Sequence, residues 1–138
     1  MSFHPEELFQ SLDNPEVLRW VPQLKYGKPA YSAIVDALKN NKLNAVQTRN
    51  ALHALFRIRL HGSSKEVLDT FVEFSQVSNV SIRSEAVQLA IGLVRFSQKV
   101  NDHPVAFSKE QIASLKHAVA LGLKHDVHKL AVEYLGEG

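Results

Sequence analysis

Arg49 to His61 reads RNALHALFRIRLH. Arg49, His53, Arg57 and His61 recur at every fourth position, and the residues between them are mostly apolar. At 3.6 residues per turn, Val46, Ala51, Leu52, Ala54, Leu55, Phe56, Ile58 and Leu60 cover most of the circumference of such a helix. A helix of this kind is expected to lie between others. The four bases then line its one wetted strip, and steps of four make that line slanted. A sandwiched helix in a chain without alternating β-branched runs implies an all-α fold. The segment nearest to a strand is FVEFSQVSNVSI, Phe71 to Ile82, and its alternation is too irregular to read as one.

Helix boundaries are marked on both sides of this stretch. Asn44 with Gln47, Ser63 with Glu66, and Ser108 with Gln111 each place a cap residue three positions before Glu or Gln, the spacing of a reciprocal capping box. Asn14 before Pro15, Asn79 or Ser81, and Asp126 are further cap candidates. Gly27 and Gly62 stand where helix C-terminal glycines do. The pattern predicts helices over 5–12, 15–26, 30–40, 44–61, 64–77, 80–99, 109–123 and 126–135, with Pro22 kinking or shortening the second. The longest irregular stretch expected is Val100–Phe107. No low-complexity linker interrupts residues 1–138, so a single helical domain is expected.

Composition narrows the function classes. The 138 residues are 45% hydrophobic and 22% charged, with net charge +2 and seven His. The sequence pI is about 8.9. That balance is far from the strongly cationic face of a dedicated DNA binder, while the His residues add charge below neutrality. The chain has no Cys, which removes disulfides, thiolate catalysis and zinc–thiolate sites. MSFHPEELFQSL lacks the basic start and apolar run of a secretory leader. No segment approaches the roughly 20 apolar residues of a membrane span. A cytoplasmic protein without membrane association is the expectation.

Three helical segments overlay. QTRNALHAL from Gln47, IRSEAVQLA from Ile82 and VHKLAVEYL from Val127 align Ala51, Ala86 and Ala131, followed by Leu52, Val87 and Val132. The separations are 35 residues from Ala51 to Ala86 and 45 from Ala86 to Ala131. Small residues at one point on successive helices let neighbouring backbones approach, as stacked helical pairs require. The segment DVHKLAVEYLG, from Asp126, resembles the second helix of a HEAT-type repeat in its acidic start, Val127, Ala131 and Leu135–Gly136. His128 stands where that family usually has Arg; Ile82–Arg83 with Ala86 fits in the middle copy, and Gln47–Thr48 departs from the pattern in the first. The resemblance spans roughly 29–136. It implies a right-handed α-α superhelix of about three HEAT-like pairs with N-terminal cap helices, whose inner helices line a face where partners often bind. An irregular helical bundle is the alternative architecture, and the family has no common chemistry.

Under that reading the inner helices present Arg49, His53 and Arg57, then Arg95 and Lys99, as candidate binding residues. Gln88, Lys129 and Glu133 stand at related places. Arg49 and Arg57 can each offer a bidentate guanidinium to an acidic protein partner. The structural explanation of the same stripe is a solvated edge. Its last cations, Arg57, Arg59 and His61, then complement the helix dipole by about 0.3–1 kcal/mol each. The expected function is a non-enzymatic binding or adaptor module that uses no cofactor. Nucleic-acid binding of the HEAT-like DNA-binding or base-repair type is the first alternative, though no regular interleaving of aromatics with bases supports a stacking platform. A small immunity protein is the second, and the absence of acidic character fits a basic toxin poorly. His117, His125 and His128 with Asp126 are expected to be exposed side chains, since His125 and His128 straddle a helix start. Asp102–His103 reads as turn chemistry. No G-x-x-x-x-G-K-[ST] or G-x-G-x-x-G motif occurs. Trp20, Tyr26 and Tyr31, near Lys25 and Lys28, are expected to pack the cap helices, with a recognition patch as the other reading.

Overall fold

The computed structural model describes residues 3–13, 21–100 and 104–136. Among them every regular element is helical. The α-helices are α1 (Pro5–Ser11), α2 (Lys28–Lys39), α3 (Ala45–Arg57), α4 (Ser64–Phe74), α5 (Val80–Val100), α6 (Lys109–Leu121) and α7 (His125–Leu135). Short 3₁₀ helices cover Val21–Tyr26 and Arg59–His61. Asn14, Pro15, Trp20, Asp102 and His103 lie outside the described residues. The chain divides into two compact units, Met1–Ser63 and Ser64–Gly138.

In the first unit α2 packs against α1, α3 and both 3₁₀ segments. Its inner face buries Ala30, Tyr31, Ile34, Ala37 and Leu38. Its C-terminus closes by the two hydrogen bonds of a Schellman turn, from Lys42 N–H to the Ala37 carbonyl and from Asn41 N–H to that of Leu38. Asn41 supplies the required positive φ of 53°. Helix α3 starts on a complete capping box between Asn44 and Gln47. The same side of α3 then reaches α1. Asn44 donates to Asp13 Oδ1 at 3.0 Å, Gln47 to the Phe9 carbonyl at 3.0 Å, and buried Asn50 to the Leu12 carbonyl at 2.7 Å. Three amides at i, i+3, i+6 therefore satisfy groups at and beyond the end of a short helix, where carbonyls lack intrahelical partners.

The predicted helix over 44–61 stops at Arg57. Ile58 leaves helical geometry at φ −109°, and Arg59–His61 tighten into a 3₁₀ turn. The cause is non-local. Gly62 lies against the ring of Tyr31, so close that an added Cβ would sit 2.0 Å from Cζ. Ser63 N–H then donates to Tyr31 Oη at 3.3 Å. The chain must break the helix to make this contact. Val46 on α3 and Leu60 in the 3₁₀ turn remain 50% and 69% exposed, so this stretch is less enclosed than its apolar sequence implies.

The second unit is two helical hairpins, α4–α5 and α6–α7. Helix α4 ends at Phe74 rather than near residue 77, and Asn79 caps α5 by accepting from Ser81 and Ile82 N–H at 2.9 and 3.0 Å. Ser108 and Gln111 complete the capping box of α6. Asp126 is not the cap of α7: the helix already begins at His125, leaving Asp126 in its first turn. Side-chain bonds fix how the hairpins stack. Gln111 donates to Asp69 Oδ1 at 2.8 Å, and Gln76 to the Ser114 carbonyl at 2.7 Å. Contacts that advance together along both helices mean that α4 and α6 run parallel. Helices α5 and α7 do the same, meeting near Ser84 and Lys124 at one end (2.9 Å) and at Arg95 and Tyr134 at the other. Ala86 and Ala131 are wholly buried in this unit, as Ala51 is in the first.

Arg83, 6% exposed, joins the turns of both hairpins. Its Nε donates to the Gly122 carbonyl at 2.8 Å. Its Nη1 donates to Val77 and Ser78 carbonyls at 2.8 and 3.0 Å, and its Nη2 lies 3.5 Å from that of Leu121. Substituting Arg83→Leu should destabilise the protein by roughly 2–4 kcal/mol in urea denaturation, because a buried charged donor is lost and its acceptors are stranded. Arg83→Lys should recover only a minor part, having a point charge instead of a planar fork. Gly62→Ala should lower stability by about 1–3 kcal/mol through overpacking against Tyr31. Combining it with Tyr31→Ala should cost less than the sum of the two single changes.

Candidate functional site

Helix α3 sets out the first group of predicted binding residues. Arg49 and Arg57 are exposed and His53 between them is half-buried, as an i, i+4 row on one edge requires. His61 leaves this row, since it belongs to the 3₁₀ turn and its ring packs 3.1 Å from the Cβ position of Gly27. Arg59 bends back over the Phe56 ring, 4.7 Å from its centroid, and donates to the Phe56 carbonyl at 2.8 Å. Partial burial pulls its pKa below the ordinary arginine value. It closes the C-terminal end of α3, where a cation meets the negative end of the helix.

The second group lies on α5 in the other unit. Arg95 and Lys99 are exposed and one turn apart. The Arg95 guanidinium stands over the Tyr134 ring of α7, 5.9 Å from its centroid, within cation–π reach. Phe107 meets the same ring edge-on at 6.1 Å and 79°. Phe107 is brought there by the segment after α5. Buried Ser97 donates to the Val94 carbonyl and accepts Val105 N–H at 3.1 Å, which ties that segment to α5. Phe96, beside Arg95 in sequence, is 45% exposed, and Tyr134 is 36% exposed. The result is a surface cluster of Arg95, Tyr134 and Phe107, with Lys99 one turn from Arg95 on α5. Lys129 and Glu133 are exposed on α7 as well.

Phe96, Phe107 and Tyr134 were not among the residues expected from sequence. The only local sign of them is Phe96 next to Arg95; the other two reach the cluster through the stacking of α7 and the Ser97–Val105 tie. Tyr31 is buried and structural, while Tyr26 pairs with Phe3 at 5.3 Å and with Lys25. His117 Nδ1 lies 2.8 Å from Gln76 Oε1 as part of the α4–α6 seam, and His125 and His128 are exposed. Among the described residues no three His, Asp or Glu side chains converge as metal ligands, and no helix is long and apolar enough to cross a membrane. Comparison with protein-family models, with curated proteins and with solved structures gives no match for this chain.

Proposed function

We propose that this protein is a non-enzymatic binding module that recognises an acidic segment of a protein partner through the solvent edges of its inner helices. The observation that carries the reading is the Arg95–Tyr134–Phe107 cluster, flanked by Phe96 and Lys99. Arginine and aromatic side chains dominate the energetic centres of protein interfaces. Here they are held in place before any partner arrives, which reduces the ordering cost of binding. The parallel stacking of α4 on α6 and α5 on α7 supports a HEAT-like arrangement of helical pairs, in which rigid display is the mechanism. Arg49, His53 and Arg57 form a second basic edge of the same kind on α3.

The test is fluorescence anisotropy with labelled acidic peptides that carry one central aromatic residue. Arg95→Gln with Lys99→Gln should weaken binding at least about tenfold, or about 1.4 kcal/mol, and Tyr134→Ala should do likewise. Arg49→Gln with Arg57→Gln, measured separately, assigns or removes the α3 edge. Far-ultraviolet circular dichroism should be unchanged in all of them. Indifference of peptide binding to every one of these changes sinks the reading. Capture of a labelled oligonucleotide instead, steeply salt-dependent and lost in the Arg95/Lys99 variant, would favour the nucleic-acid alternative.

A further inference from the structure

Guanidinium groups are used in two ways in this fold. Arg59 and Arg83 spend N–H donors on main-chain carbonyls, of Phe56 for the first and of Val77, Ser78 and Gly122 for the second. Arg95 spends none. Its partner among the described residues is the Tyr134 ring, with the centroid 5.9 Å from Cζ. A contact with a π-face draws on the charge and leaves the five N–H donors of the fork uncommitted. The Tyr134 ring is in turn met edge-on by Phe107 at 6.1 Å. Arg95 is therefore held in place while its hydrogen-bonding capacity stays open. Lys99, exposed one turn further along α5, forms no hydrogen bond or ion pair among the described residues. Glu133, beside Tyr134 on α7, is paired with neither base.

Two cations at i and i+4 share one side of a helix and repel each other. An anion between them removes that repulsion, and the donor set selects the kind of anion. A carboxylate has one charge and two oxygens, which a single edge of a guanidinium satisfies. Lys99 would then be left without a partner. A phosphomonoester has about −1.5 to −2 charges near neutrality and three strong acceptor oxygens. That is enough for a bidentate bond from Arg95 and a further contact from Lys99, which acts as a point charge with three rotatable donors. The rings of Tyr134 and Phe107 offer apolar contact to the chain that carries such a group.

We infer that the Arg95–Lys99 edge, beside the Tyr134 ring, receives the phosphorylated side chain of a protein segment. Arg95 takes two phosphoryl oxygens with its planar fork, and Lys99 balances the second charge. The inference rests on the reading of this cluster as a site for acidic segments, and narrows it to a phosphoryl group. Recognition is non-covalent, and no bond of the phosphate ester is made or broken.

The test compares labelled peptides that differ at one central site, which holds serine, aspartate, two adjacent aspartates or phosphoserine. Anisotropy with the intact protein should show the phosphoserine peptide bound at least about tenfold more tightly than either aspartate peptide. The paired aspartates match its charge without its tetrahedral group. Lys99→Gln should bring phosphoserine to within about twofold of aspartate, and Lys99→Arg should keep the preference. Arg95→Gln should weaken every charged peptide. Tyr134→Phe retains the ring and should leave binding unchanged. Unaltered thermal melting shows that each variant is folded. Equal binding of phosphoserine and paired aspartates, or a preference that survives Lys99→Gln, overturns the proposal while the acidic-segment reading stands. Serine bound as tightly as the charged peptides removes both. Tighter capture of a single-stranded oligonucleotide than of the phosphoserine peptide also overturns it, since the phosphate would then belong to a nucleic acid.

Discussion

The stacking in the second unit depends on one buried guanidinium. Arg83 has given up water, and its hydrogen-bond acceptors are main-chain carbonyls of Val77, Ser78, Leu121 and Gly122. Burying a charge is costly unless its donors are satisfied. Here the acceptors lie just beyond α4 and at the end of α6, where helix carbonyls lack internal partners and the dipole is negative. Neither turn alone supplies the whole set. The side chain is satisfied only when the two hairpins are in register, so its desolvation becomes a condition on how they stack. The Ser84–Lys124 bond beside it and the Gln76–Ser114 bond on the outer helices hold the same register.

Local signals made most of the helices legible. Asn44 with Gln47, Ser108 with Gln111, and Asn79 are caps whose partners lie within three residues, so the sequence contains the whole interaction. The end of α3 was illegible for the opposite reason. Apolar spacing continues through Ile58 and Leu60, and only the Tyr31 ring, about thirty residues away, explains why the helix must stop before Gly62. Asn50 and Arg83 belong to the same class. Polar side chains of these types are ordinarily exposed, and nothing near them in sequence announces the distant carbonyls of Leu12 for Asn50 and of Leu121 and Gly122 for Arg83.

The candidate site divides along the same line. Arg95 and Lys99 were legible as exposed bases from their place on α5, as were Arg49 and Arg57 on α3. Tyr134 and Phe107 were not, because their meeting with Arg95 needs both the parallel course of α5 and α7 and the tie from Ser97 to Val105. The exposed bases were therefore readable from sequence, and the packing that brings the rings to Arg95 was not.

A step of 45 residues carries Arg83 to His128, Phe71 to Lys116 and Ala86 to Ala131, and the two hairpins use the matched positions differently. At one position of the match, Arg83 reaches two turns with a five-donor fork; at the other, His128 has two ring nitrogens. At another matched position buried Phe71 is replaced by half-buried Lys116.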